Sequence, residues 1–154
     1  MRATIPVDRY TAELDELLHA MGNLTRRQTR EIMSEFDVTP PQCEALMVLK
    51  EYGSLAMGEL CQKVGSACST ATDLIDRMER NGLVERVRDP RDRRVIRLHI
   101  TPKGEEVVER VVEASRTNLA RKLQGLSDQE KERLVQTLEM LHYLLLQPTS
   151  EPRA

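Results

Sequence analysis

Apolar positions in the first third of the chain recur as Tyr10, Leu14, Leu17, Met21 and Leu24, at alternating spacings of four and three. This heptad-like seam predicts one long helix over about residues 8–34. In "DVTPPQCEALMVLKEYG" a second helix begins. Thr39 suits its N-cap, Pro40 its first position, and Gln42 completes a capping box. Ala45 to Leu49 is apolar all round, which predicts burial. "MGELCQKVGSACSTATDLIDRMERNGL" reads as two short helices around Gly65, the second from about Ser66 to Asn81 with Gly82 as its stop. Ala71, Leu74, Ile75 and Met78 form its apolar stripe. The opposite face holds Ser66, Ser69, Asp73, Asp76, Arg77 and Arg80, with Thr70 and Thr72 at the flanks. Leu83–Val87 and Val95–Ile100 read as short strands. Thr101 and Pro102 start a further helix, and Ser127 with Glu130 caps a last one. That last helix ends in a wide apolar face from Leu138 to Leu146, which a monomer would not leave in water.

Charge adds a second pattern. The 154 residues carry a formal net charge of −2. Between Arg77 and Arg97 stand eight arginines and only four acids (Glu79, Glu85, Asp89, Asp92), so this segment is +4 and the rest of the chain −6. Five of the arginines crowd into "VRDPRDRRVIRLHITPKG" between Arg88 and Arg97, in the turn joining the two strands and at its edges. A basic stripe on an acidic body suggests contact with a polyanion; a solvated charged hairpin is the plainer alternative. Aromatics make up 3% of the chain, with no Trp. That argues against single-strand binders that stack bases on aromatic platforms. No apolar run reaches transmembrane length and no signal peptide is evident, so the expected location is cytoplasmic, without membrane contact.

Helix, turn at Gly65, helix, two-stranded hairpin is the order of a winged helix-turn-helix. A small residue, Cys61, stands four positions before the turn glycine, where two helices must approach closely. The polar face of the second helix is then free to enter a major groove, and the arginine turn to reach a minor groove or the backbone. The expected fold is mainly α with a small β wing: a winged helix-turn-helix flanked by long N- and C-terminal dimerisation helices. It forms a single domain over residues 1–154, with about 8–34 and 103–147 for dimerisation and about 39–101 for DNA.

"NGLVERVRDPRDRRVIRLHITPKG" resembles the wing of the MarR (multiple-antibiotic-resistance regulator) family of bacterial transcription factors. "GLVER", "DPRDRR" and "TPKG" match in order and spacing. "TPPQCEALMVL" is similar to the family's second helix and "STATDLIDRMERNG" to its recognition helix. The resemblance covers nearly the whole chain. It implies a homodimer straddling a palindromic operator on double-stranded DNA, and a repressor released by a small-molecule effector. It also implies that Arg94 enters the minor groove while Asp92 helps fix it, and that Arg77 and Arg86 meet phosphates. Asp92 lies close enough in sequence to brace the Arg94 guanidinium. Asp73 departs from the family pattern. It could accept from a cytosine N4 amine or pair with Arg77 one turn on, and the second is expected. The candidate DNA-binding set is completed by Ser66, Ser69, Thr70, Thr72, Arg80, Arg91 and Arg93.

Two other functions stay open. Cys43, Cys61 and Cys68 allow a redox or metal sensor of the same fold, but none has a neighbouring His at metal-ligand spacing, and Cys61 suits a structural role in the helix crossing. Cys43 falls where relatives carry a bulky aromatic, which leaves room near the family's ligand pocket. A helical dimerisation module that binds protein instead of DNA is the other alternative. No nucleophile elbow, glycine-rich phosphate loop or paired carboxylates appear, so no catalytic residue, metal or cofactor is assigned and an enzyme is not expected.

Overall fold

The computed structural model describes residues 7–65 and 68–148. Side chains are described from Ala71 onward in the helix that begins at Cys68. The chain divides into two compact units, one up to Ser115 and one from Arg116.

The first unit opens with α1 (Arg9–Ser34), whose N-cap Asp8 accepts the Thr11 amide at 2.7 Å. Its heptad seam lies on the surface, and Met33 at its far end is its buried residue. α2 (Pro40–Tyr52) forms the centre of the core: Cys43, Ala45, Leu46 and Leu49 are fully buried. Met47, expected inside, faces out. α3 (Met57–Val64) ends on Gly65, whose φ of 63° is the left-handed conformation that glycine adopts without a Cβ clash. Cys61 is buried on the last turn of α3. α4 (Cys68–Arg80) follows, with Ala71, Ile75 and Met78 packed inward as its periodicity predicts. It ends in a reversal at Gly82, where the amides of Gly82 and Leu83 donate back to Glu79 and Met78.

The sheet is one strand larger than expected. β2 (Val84–Arg88) and β3 (Ile96–Ile100) form the antiparallel hairpin, and β1 (Leu55–Ala56) pairs on the other edge of β3. Two residues are too short a run to show alternation, so β1 left no periodic signal. In the hairpin, Arg86 stands opposite Leu98. Val84 and Arg86 share a face because side chains two apart project to the same side. Val84 and Leu98 are buried, so Arg86 is directed toward the core side of the sheet.

α5 (Pro102–Lys122) is stitched to the end of α4. Thr101 Oγ1 donates to the Gly82 carbonyl at 2.6 Å, and Lys103 Nζ donates to the Asn81 carbonyl at 2.8 Å. Gly104 sits where this crossing is tightest: a Cβ there would strike the Leu83 carbonyl oxygen and come within 2.8 Å of Ile100 Cγ1. This explains "TPKG" physically, as a latch tying the start of α5 to the turn that ends α4.

The second unit contains the end of α5 and α6 (Asp128–Leu146). Ser127 caps α6 by accepting the Glu130 amide, and Glu130 accepts in return from the Ser127 amide at 2.8 Å. No residue of α6 is buried in the single chain. No described helix is long and apolar enough to cross a membrane.

Candidate nucleic-acid interface

The wing loop is built around Asp89. This carboxylate is almost wholly buried and receives three groups: the Arg97 guanidinium, the Arg91 amide at 2.7 Å and the Asp92 amide at 3.4 Å. The Arg97 hydrogen bond first, and the Arg91 amide next, hold its pKa down to about 2. Arg97 also lies 3.6 Å from Glu59 on α3, so the wing is tied to the first helix of the motif. Asp89 and Arg97 were absent from the expected site. The signal available in sequence was weak, since a charge pair eight residues apart across a turn has no fixed spacing.

Above that base the loop is ordered by its own backbone. Asp89 N–H donates to the Val95 carbonyl and Val95 N–H to the Asp92 carbonyl, both at 2.9 Å. Asp92 Oδ1 accepts the Arg94 amide at 3.0 Å. Asp92 therefore shapes the backbone at Arg94 by a local Asx turn and does not brace its guanidinium. A short carboxylate two residues back reaches the nearby amide before the distant end of a long side chain.

Arg86 differs more. Its Nη1 donates to Glu79 and its Nη2 to Asp76, each at 2.6 Å, and only about a quarter of its side chain is exposed. Burial alone would lower its pKa, but the hydrogen bonds it donates to Asp76 and Glu79 outweigh it and leave the pKa raised. Its charge is engaged by α4, not presented to solvent as the phosphate reading expected. It clamps β2 to α4. The alternation with buried Val84 was a usable signal for this.

With Arg86 and Arg97 neutralised internally, Arg77, Arg80, Arg88, Arg91, Arg93 and Arg94 remain exposed. Arg88, at the end of β2, was not among the expected residues. Asp73 and Arg77 are both exposed and form no pair among the described residues. The anticipated i,i+4 bridge is absent because such an exposed pair gains only about 0.2–0.5 kcal/mol, little more than free side-chain motion. Arg80 Nε donates to the Asp76 carbonyl at 3.2 Å, which anchors it beside Arg77. Thr72 is exposed on α4. Ser66, Ser69 and Thr70, with Cys68, lie outside the residues whose side chains are described.

The free cations thus sit at the α4 end and on the wing, an arrangement suited to phosphates and groove edges. Among the described residues, no group of three His, Cys, Asp or Glu could hold a metal ion. Cys43 is fully buried, and that burial pushes its thiol pKa up. A thiol kept protonated is a poor nucleophile and metal ligand.

Comparison with known proteins gives the family. The MarR family model matches residues 38–96. The chain is 40% identical over 121 residues to the helix-turn-helix transcriptional regulator YsmB of Bacillus subtilis, covering 79% of this chain and 83% of that one. It is 31% identical over 123 residues to the transcriptional repressor MdtR of the same organism, covering 80% of this chain and 79% of the relative. A MarR family protein from Bacillus stearothermophilus has a similar structure, with a TM-score of 0.81 at 43% identity, over 90% of this chain and 97% of that one. The chain belongs to the MarR family and is a DNA-binding transcriptional regulator, not an enzyme.

Proposed function

We propose that this protein is a homodimeric repressor that binds a palindromic operator through α4 and the wing, and leaves it when a small molecule binds. The observation that carries the DNA arm is the sorting of the arginines. Two are consumed as internal braces, and the rest stand exposed along one helix end and one loop. Arg94 at the loop is the minor-groove residue in this reading, and Arg77 a phosphate contact. Repression follows the name of the MdtR relative.

Dimerisation is supported by apolar surface with nothing over it. Tyr10, Leu14, Leu17, Met21 and Leu24 on α1 are each 48% or more exposed. On α6, Leu138, Met140, Tyr143, Leu144, Leu145 and Leu146 are each 50% or more exposed. Stripes of this length call for a second copy, with a total interface on the order of 2,000 Å² or more. Effector release is supported by a groove of about 310 Å³ lined by Phe36, Val38, Leu83 and Val107 with Asp37, Asn81 and Lys103 at its polar positions. It touches the end of α4, so an occupant there acts on the recognition helix directly.

The test is a fluorescence anisotropy titration with a duplex from the region upstream of the chain's own gene, alongside sedimentation of the free protein. The expected result is one dimer per operator and a steep loss of affinity with salt. A monomer at micromolar concentration, or affinity independent of salt, refutes the reading.

A further inference from the structure

We propose that Gln42, Arg77 and Arg80 form a phosphate clamp that grips the DNA backbone beside the recognition helix; the inference rests on the DNA-binding reading above. The three residues, with Asn81, line an open recess of about 470 Å³ between the start of α2 and the end of α4. Both arginines are exposed, and Arg80 is held in place by its bond to the Asp76 carbonyl.

Gln42 is the unusual member. Only 6% of it is exposed, so it is not a solvated surface glutamine. Its Oε1 accepts the Thr39 amide at 2.9 Å. That donor identifies which end of the carboxamide is oxygen, because a backbone N–H can only donate. The Nε2 group then has no partner among the described residues. Nor is it sealed in the core, since no buried side-chain nitrogen or oxygen there lacks a partner. A buried residue with a fixed, unused NH2 at the edge of a recess is a preorganised donor. The local backbone cannot supply it, because Pro40 and Pro41 have no N–H at the first turn of α2. The α2 dipole adds a modest positive potential at the same point. One neutral donor fixed in direction and two guanidinium groups match the several acceptor oxygens of a phosphodiester. An uncharged donor adds geometry without adding to the salt slope, whereas each arginine adds to both.

The experiment uses the full chain and two duplexes, one from upstream of its own gene and one unrelated, titrated between roughly 50 and 300 mM salt. Gln42→Glu keeps an oxygen for the Thr39 amide, and Glu serves a capping box as well as Gln does. It removes the donor. The clamp predicts a melting temperature no lower than wild type and about tenfold weaker binding to both duplexes. Gln42→Met, which adds no negative charge, should also lose about fivefold once corrected for its folded fraction. Arg80→Gln should lower the slope of log affinity against log salt by about 0.9. Combining Gln42→Met with Arg80→Gln should cost less than the two losses multiplied, because both act on one phosphate. Wild-type affinity in Gln42→Met, or losses that multiply fully, overturns the clamp while leaving DNA binding intact. Failure of the wild type to bind either duplex at low salt overturns both.

Discussion

Removing the Arg86 guanidinium separates two roles that the sequence alone assigns differently. Arg86→Met keeps most of the aliphatic stem and deletes both bonds to α4. Exposed ion pairs are typically worth under about 1 kcal/mol each. These two bonds are 2.6 Å long and made by an arginine with about a quarter of its side chain exposed, so they lie toward the top of that range. The carboxylates left behind are about half exposed and regain water, which limits the penalty. The expected cost is about 1–2 kcal/mol, or roughly 2–8 °C in melting temperature for a chain of this size. Urea titration or calorimetry measures it. If Arg86 is a clamp, DNA affinity should fall modestly at every salt concentration, giving a parallel line on the log–log plot. If Arg86 instead contacts a phosphate, the slope falls by about 0.9. A lowered slope with unchanged stability would refute the clamp.

Three further outcomes follow from the geometry. Gly104→Ala gains about 1 kcal/mol of helix propensity but drives a Cβ into the Leu83 carbonyl and the Ile100 side chain, so denaturation should show a net loss of about 1–3 kcal/mol. Asp89 has a folded pKa of about 2 against an ordinary 3.8, so its contribution is complete above 3.8 and fades as pH falls toward 2. The urea midpoints of wild type and Asp89→Asn should therefore differ most near neutral pH and converge in acid. A constant gap between them would rule out the ionised brace. Asp92→Ala removes a negative charge from a basic loop, yet it should weaken DNA binding because the Arg94 amide loses its acceptor. Tighter binding with an unchanged melting temperature would show that the wing acts only as a diffuse cationic patch.

What was legible from sequence divides by the range of the interaction. The helices were readable because their evidence is local: caps at Thr39 and Ser127, a turn at Gly65, and apolar stripes of fixed period. The exposed seams on α1 and α6 were readable for the same reason. The arginine turn was readable as a charge excess, but not as an assembly of separate roles. Net charge counts Arg86, Arg94 and Arg97 alike, whereas the fold pairs two of them, half-buried, with carboxylates and leaves one exposed. Deciding between them needs a partner, and the partners of Arg86 and Arg97 lie seven to ten residues away or on another helix. No helical or strand period predicts such a distance. One rule would have narrowed the choice: in "LVERV", the position two after a buried valine faces the same side of the sheet, so a cation there must find an acid or be excluded. Gln42 follows the same logic from the opposite direction. Its capping role was legible at spacing three, but its free NH2 group became visible only once α4 was seen to place two arginines across the recess from it.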